Sequence, residues 1–187
     1  MVATARKIAR YGWVPDLPDI RDLVVDTEEL LAGIHLPAEV DLRTTGHLPE
    51  VYDQGNLGSC TANASGAAME YEQAKQGLTP VMPSRLFIYY NERVLEGTVD
   101  QDSGAQIRDA VKVLNQQGVC PENEWPYDIA RFAVKPPEKS YTDALGEKAV
   151  QYERVPQTVT GIKTVLAAGR PVIIGFTVYS LLSLIHI

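Results

Sequence analysis

A glycine-rich turn that leads into a helix with a cysteine at its start constrains this chain more than any other feature. Residues 53–61 are Asp-Gln-Gly-Asn-Leu-Gly-Ser-Cys-Thr, so Gln54 lies six positions before Cys60. Small residues fill the turns that follow, which predicts a helix from Ser59 or Cys60 to about Lys75. The chain therefore carries a thiol at a helix N-terminus, with a side-chain amide just upstream of it.

This placement gives Cys60 a route to reactivity. A thiol has an unperturbed pKa of about 8.5, so only about a few per cent of it is thiolate at neutral pH. Free backbone N–H groups and the positive end of the helix dipole stabilise the thiolate. Gln54 can pair with the Cys60 N–H to hold an oxyanion, an interaction worth about 3 kcal/mol in a transition state. With Gly55 and Gly58 leaving room for a substrate backbone, the pattern indicates acyl transfer on peptides.

Composition narrows the partners and cofactors of such a site. The 187 residues are 45% hydrophobic and carry a net charge of −7, with no dense block of Lys or Arg, which excludes a nucleic-acid surface. No segment has the apolar length of a membrane span, and the first ten residues lack the apolar stretch of a signal peptide. Neither a metal-ligand cluster nor a phosphate loop occurs, so we expect no cofactor. These observations predict a monomeric, cytoplasmic protein with no membrane partner.

The two cysteines have different expected roles. Two are too few to form a disulfide framework. Cys120 follows a helical pattern in the segment Gln-Gly-Val-Cys-Pro, where a small packed hydrophobic side chain is the simplest interpretation. Cys60, taken alone, is also compatible with a packed side chain, and its interpretation as a nucleophile depends on the rest of the chain.

Helix and strand patterns divide the chain into an arm, a helix-rich part and a mixed part. Residues 1–35 lack a long periodic pattern and contain Pro15 and Pro18, which predicts an extended arm. The apolar face of the first core helix is predicted to consist of Ala64, Ala67, Ala68, Tyr71 and Ala74. Further predicted elements are helices opening at Pro83-Ser84 and at Asp102-Ser103, a strand near 150–155, a helix over 159–168 and a strand over 172–179.

Gln54-Gly55 and Gly58-Ser59-Cys60 resemble the active-site segment of the papain-like cysteine peptidases. The other matching segments, in the order of that family, are Leu36–Arg43, Ser103-Gly104, Trp125-Pro126-Tyr127 and Pro171–Tyr179. The resemblance covers residues 36–180 and implies the papain-like α+β fold of two lobes. Its helical lobe would be complete over about 36–127, and its β-barrel-like lobe incomplete over about 128–180. Residues 181–187 are predicted to be a tail that is not native.

The resemblance also implies the roles of five residues. Cys60 would attack the scissile carbonyl and form a thioester, while Gln54 would form the oxyanion hole. Ser103, Gly104 and Gly58 would bind the substrate backbone. The family's activity implies a hydrolase, a thiol protease acting on peptide or protein substrates.

The chain departs from the family pattern in three ways. Leu57 replaces the first cysteine of the signature Cys-Gly-Ser/Ala-Cys-Trp/Tyr, and Thr61 replaces its aromatic residue. The catalytic histidine and its orienting asparagine are expected beyond Ile187, so the chain is predicted to be an inactive fragment. His35 and His47 are expected to be surface residues, and His186 follows the last predicted strand too closely to be the base.

Two alternatives stay open for the function, and two for the arm. A peptidase-like module that binds peptides without cleaving them would lack a downstream histidine, and a redox or transferase thiol enzyme would use Cys60 with another base. The arm is too short and too rich in proline for the family's helical prosegment. Tyr11–Asp19 resembles a leader of prokaryotic-type relatives, and the simpler interpretation is an arm that packs Trp13 on the body.

Overall fold

The computed structural model describes residues 11–33 and 35–177. The predicted tail at 181–187 and His186 within it lie outside the described residues. In the described ranges the chain forms six α-helices and two 3-10 helices. The α-helices are α1 Thr27–Ala32, α2 Cys60–Lys75, α3 Arg85–Glu96, α4 Ile107–Gln116, α5 Glu138–Ala144 and α6 Val159–Ala167, and the 3-10 helices are Leu42–Thr45 and Ile129–Arg131.

Helices α2, α3 and α4 pack on one another and form the main core. The three helices all contact one another, and α3 is the most buried of them, with most of its residues buried. Four consecutive residues of α3, from Leu86 to Tyr89, have no exposed surface. The main hydrophobic cluster joins these to Leu57 before α2 and to Trp125 after α4. Leu57 therefore anchors the start of α2 to the hydrophobic core.

Helix α2 begins and ends as predicted, but its buried face differs from the predicted one. Ala64 is exposed, while Thr61, Asn63 and Gln73 are buried. These three polar side chains turn inward because each finds a hydrogen-bond partner inside the protein, which removes the cost of burying them. Ser59 occupies the N-cap position without capping the helix through its side chain.

Helix α3 begins where the sequence predicts, at the residue after Ser84. The Ser84 hydroxyl accepts a hydrogen bond from the Phe87 N–H at 3.2 Å and donates to the Trp125 carbonyl at 2.7 Å. The same side chain thus caps α3 and ties it to the segment that follows α4.

The predicted start of α4 at Asp102-Ser103 is wrong. Gly104 has φ of +76°, and Ala105 forms a parallel bridge with Trp13, so this stretch cannot adopt helical geometry. The helix begins only at Ile107.

The predicted strands do not form ladders in the described part of the chain. Near 150–155 there is only an isolated parallel bridge between Arg154 and Val24, and residues 171–177 have no strand assignment. Val178 and Tyr179, at the end of the second predicted strand, lie outside the described residues. A strand requires a neighbour to pair its N–H and C=O groups, and the described segments offer these stretches single contacts only. Helix α6 confirms the helix predicted over 159–168.

The arm is not extended throughout, as the sequence analysis expected. Residues 27–32 form α1, because the Asp26 carboxylate caps its first turn with hydrogen bonds to Glu28 and Glu29. Helix α1 packs against α6. In the ranges that the structure covers, no helix is long and apolar enough to cross a membrane.

Candidate active site

The loop before α2 is held in a tight turn by its own polar groups. The Gln54 Nε2 group donates to the Leu57 carbonyl at 3.0 Å, and the Gly55 N–H donates to the Asp53 carboxylate at 2.9 Å. Leu57 is 2% exposed and anchors the loop in the core. The Gln54 side chain is therefore folded back onto Leu57, three residues before Cys60.

Cys60 is the first residue of α2 and is half-buried. Burial raises the pKa of its thiol, and the nearby Glu92 carboxyl raises it further. A hydrogen bond from the Gly12 backbone N–H to the thiol, together with the N–H groups of Thr61 and Cys60, opposes this shift only in part. In the arrangement described, the helix N-terminus alone does not produce a thiolate.

A buried carboxyl group lies directly beneath the first turn of α2, and the sequence analysis missed it. The Thr61 hydroxyl donates to Glu92 Oε2 at 2.8 Å, and Glu92 has no exposed surface. Burial raises the pKa of Glu92 to about 8, so the group is mostly protonated at neutral pH. The hydroxyl of Thr61, which replaces the aromatic residue of the family signature, donates to this carboxyl group and opposes the rise of its pKa.

Two of the three predicted substrate-binding residues form one wall beside Cys60. A Cβ added to Gly58 would lie 3.5 Å from the Gly104 nitrogen, so the two glycines are neighbours. The Asp102 carboxylate accepts the Gly58 N–H at 3.0 Å, and the Gly104 N–H donates to the Tyr89 hydroxyl at 3.1 Å. This wall consists of the Gly58 and Gly104 backbones, and the Asp102 side chain packs against Gly58.

Ser103 does not share in this wall. Its side chain is exposed, and its hydroxyl donates to the Thr98 hydroxyl at 3.0 Å and to the Gly104 carbonyl at 3.1 Å. The structure makes Gly58 and Gly104 neighbours, bonds the Gln54 side chain to Leu57, and leaves the Ser103 side chain on the outside.

The N-terminal arm lies along this wall. The Ala105 N–H donates to the Gly12 carbonyl at 2.8 Å, and the Val14 N–H donates to the Ala105 carbonyl at 2.9 Å. A Cβ on Gly104 would lie 2.0 Å from the Gly12 oxygen, so only glycine at position 104 permits this approach. The backbone groups that pair with an extended chain belong to Ala105, one residue beyond the predicted pair.

Further contacts fix the arm to the rest of the protein. Asp22 forms two hydrogen bonds with Arg108 of α4, at 2.7 and 2.9 Å, and a third with Arg154 at 3.1 Å. The Trp13 ring lies against the Gly175 backbone, where a Cβ would come within 2.1 Å of it. The interpretation of the arm as a segment that packs Trp13 on the body is confirmed, and the arm also reaches Cys60.

The described histidines lie away from Cys60. The His47 ring packs edge-on against Tyr71 at 5.8 Å between ring centroids, and Tyr71 is eleven residues further along α2, about 16 Å at 1.5 Å per residue. His35 is exposed, as predicted, while His47 is only partly exposed. Among the described residues no group of three or more His, Cys, Asp or Glu side chains could hold a metal ion.

Cys120 has the environment of a packed side chain. It has no exposed surface, and burial raises the pKa of its thiol to about 11. It belongs to the main hydrophobic cluster, which confirms its predicted structural role.

Comparisons of this chain with known proteins point to one family. The family model of the papain family cysteine proteases matches residues 36–185. Xylellain, a cysteine protease from Xylella fastidiosa, superposes with a TM-score of 0.77 at 44% identity, over 90% of this chain and 67% of that one. The fold is therefore that of papain-like proteases, with the described part mostly helical.

Curated relatives agree with this family. An uncharacterized peptidase C1-like protein of Acanthamoeba polyphaga mimivirus is 41% identical over 90% of this chain and 61% of its own length. A cathepsin L-like proteinase of Fasciola hepatica is 28% identical over 78% of this chain and 43% of its own length. The chain thus spans less than two thirds of the length of these curated relatives.

Proposed function

Because this chain belongs to the papain family of cysteine proteases, we propose that the full-length protein hydrolyses peptide bonds through the thiol of Cys60. One observation carries the proposal. Cys60 begins a helix two residues after Gly58, whose backbone lies beside that of Gly104 in the wall. That arrangement suits attack on an extended peptide, because a backbone can lie close to both the thiol and the wall.

In the proposed reaction the Cys60 sulfur attacks the carbonyl carbon of the scissile bond. Negative charge moves to the carbonyl oxygen, and the Cys60 N–H and the Gln54 side-chain amide stabilise it. The C–N bond then breaks, the amine leaves with a proton, and water hydrolyses the thioester. An amide nitrogen carries two N–H groups, and Gln54 Nε2 donates one to the Leu57 carbonyl.

A base must accept the Cys60 proton, and we assign this role to neither His35 nor His47. The His47 ring packs on Tyr71, and Tyr71 lies about 16 Å further along α2 than Cys60. The expectation that the catalytic histidine and asparagine follow Ile187 stays a prediction.

We further propose that the described state is a latent one. Ala105 is paired with Gly12 and Val14 of the arm, so an extended substrate and the arm compete for the same N–H and C=O groups. The Gly12 N–H on the Cys60 thiol adds to this competition. Turnover then requires the arm to leave the wall.

The test uses the full-length protein with a fluorogenic peptide library and with iodoacetamide. We expect peptide hydrolysis that Cys60→Ser abolishes, and Cys60 alkylation with an apparent pKa several units below 8.5 once the arm is displaced. Cys120→Ser is the matched control and should leave both activities unchanged, because Cys120 is buried in the core.

The two alternatives predict different outcomes of the same assays. Peptide binding without turnover, with an apparent thiol pKa of about 8.5, would indicate a binding module. Rapid alkylation without peptide hydrolysis would indicate a non-peptidase thiol enzyme. Either result would contradict the proposal.

A further inference from the structure

We propose that Tyr127 is a positioning residue for the oxyanion hole, an inference that rests on the proposed function. Tyr127 follows α4 in the sequence, yet its hydroxyl contacts both ends of the loop that joins Gln54 to α2. It donates to the Gln54 backbone carbonyl at 3.0 Å and forms a second hydrogen bond with the Ser59 hydroxyl. One atom thus ties the residue before the turn to the residue next to Cys60.

The direction of these hydrogen bonds follows from counting protons. A tyrosine hydroxyl has a single O–H, and Tyr127 donates it to Gln54. Its bond with Ser59 must therefore be donated by Ser59. The Ser59 oxygen in turn accepts from Asn63 Nδ2 at 3.0 Å. The polar groups form a one-way chain that ends on the Gln54 carbonyl.

Arg85 fixes the other end of this chain. A guanidinium can only donate, and Arg85 Nη1 lies 3.2 Å from Asn63 Oδ1. The Asn63 amide must then present its NH₂ group to Ser59, and the alternative orientation of the amide is excluded. The donor and the acceptor of each hydrogen bond from Asn63 to the Gln54 carbonyl are therefore fixed, and the bonds that hold the loop all run in one direction.

Arg85 also supports the Tyr127 ring itself. The guanidinium carbon lies 4.1 Å from the centroid of that ring, within the range of a cation–π contact. Glu122 accepts from Arg85 Nη2 at 2.7 Å and from the Tyr127 N–H at 3.2 Å. Arg85 Nη1 donates to the Asp53 carbonyl at 3.1 Å. The tyrosine is held from its ring, its backbone and its hydroxyl.

Through these contacts Tyr127 affects the rate of the reaction as well as folding. The oxyanion donors are the Gln54 amide and the Cys60 N–H, and their separation depends on the shape of loop 54–59. Oxyanion stabilisation needs donors held about 2.7–3.1 Å from the position of the developing negative charge. A looser loop raises the barrier without changing how the substrate backbone binds at Ala105.

The test is a double-mutant cycle of Tyr127→Phe with Gln54→Ala in the full-length protein. Phenylalanine keeps the ring and its contact with Arg85 and removes only the hydroxyl. We expect kcat to fall about 10- to 100-fold with little change in KM. In the Gln54→Ala background the same change should lower kcat less than about twofold, because the donor it positions is already absent.

Tyr141→Phe is the matched control. The Tyr141 hydroxyl also donates to a polar side chain, Asn91 Oδ1 at 3.1 Å, and Tyr141 packs on Phe87 in the same core. Its loss should change stability without changing kcat. Ser59→Ala is the second variant if Tyr127→Phe fails to fold, and it should reproduce the loss of kcat in smaller degree.

Affinity for a peptide aldehyde provides a measurement that needs no turnover, because the aldehyde forms a tetrahedral adduct with a thiol and places an oxyanion in the hole. We expect Tyr127→Phe to weaken the affinity for the aldehyde about 10-fold or more, with the arm competing equally in every variant.

Unchanged kcat and aldehyde affinity, or equal losses of kcat in both Gln54 backgrounds, would overturn the role of Tyr127. Aldehyde binding that depends on Tyr127 without any peptide hydrolysis would refute the proposed function and leave the positioning role standing. A wild-type protein that neither hydrolyses peptides nor binds the aldehyde would overturn both.

Discussion

At the scale of single residues, two glycines determine how closely the arm approaches the site. Gly104 must be glycine because a Cβ there would lie 2.0 Å from the Gly12 oxygen, and Gly12 must be glycine because a Cβ there would lie 1.6 Å from the Gly58 oxygen. Neither contact is with a flexible side chain that could move aside. The fit between arm and wall is therefore a contact of backbone with backbone.

Gly12→Ala should release the arm from the wall. An added methyl group that cannot be accommodated costs about 1–3 kcal/mol, which corresponds to a rise of roughly 5- to 150-fold in the population of the released arm. The rate of Cys60 alkylation should rise accordingly. Gly33→Ala is the control in the same arm, because a Cβ there meets nothing within 4 Å, and an equal effect of both variants would contradict the latent state.

Glu92→Gln should change the pH dependence of stability. The pKa of Glu92 is raised to about 8 by burial, against about 4.3 in an unfolded chain. The folded state therefore holds a proton that the unfolded state loses, and stability falls as pH rises from about 4.3 to about 8.

Glutamine can still accept the Thr61 hydrogen bond but cannot ionise. We expect Glu92→Gln to have a higher free energy of unfolding than the wild type, as measured in urea. The difference between the two proteins should be larger at pH 9 than at pH 5. Glu138→Gln, on the exposed face of α5, provides the control. A difference that does not change with pH would show that Glu92 is already ionised in the folded protein.

At the scale of elements, polar side chains rather than apolar ones orient the helices of the main core. Helix α2 turns Thr61, Asn63 and Gln73 inward, and each makes a hydrogen bond to a distant part of the chain. Apolar periodicity could not identify this face, because the pattern scores these residues as solvent-exposed. For the same reason the sequence analysis wrongly assigned Ala64, which is exposed, to the buried face.

Ser84→Ala should destabilise the whole core, because one hydroxyl both caps α3 and bonds the Trp125 carbonyl. We expect a loss of about 1–2 kcal/mol in the free energy of unfolding, measured by urea denaturation. Asp26→Ala removes the cap of α1, a helix without buried residues, and should cost the core less. An effect of Ser84→Ala no larger than that of Asp26→Ala would refute this assignment.

At the scale of the whole molecule, the arm connects parts of the chain that lie far apart in sequence. Its backbone pairs with Ala105, its Asp22 carboxylate bonds Arg108 and Arg154, and the Val25 N–H donates to the Arg154 carbonyl at 3.0 Å. Both of these ion pairs are made by one carboxylate, so arm docking depends on the charge of Asp22.

Acid should release the arm. The hydrogen bond and charge of Arg108 lower the pKa of Asp22 in the docked state, so docking is strongest above the pKa of a free aspartate, about 3.9. The stabilisation is lost as pH falls below that value. Hydrogen exchange at the Val14 and Val25 amides, corrected for its intrinsic pH dependence, should lose protection over this range.

Asp22→Asn should mimic the acid effect at pH 7, with faster Cys60 alkylation. Asp19→Asn is the matched control, because Asp19 bonds Arg21 within the arm itself and its removal leaves the docking contacts in place. Equal rates for Asp22→Asn and the wild type would contradict the dependence on this ion pair.

The sequence by itself determined the start of α2 at Cys60, the starts of α3 and α6, the packed state of Cys120 and the protease family. These features depend on local signals, namely capping residues, proline and glycine positions, and a short motif with fixed spacing. Only the tertiary structure decided the pairing of the arm with Ala105, the neutral Glu92 beneath Thr61 and the Tyr127 hydroxyl on Gln54. Each of these joins residues that are 31 to 93 positions apart. Hydrogen bonds over such distances leave no periodicity in the sequence, because their partners are chosen by the packing of helices and not by neighbours in the chain.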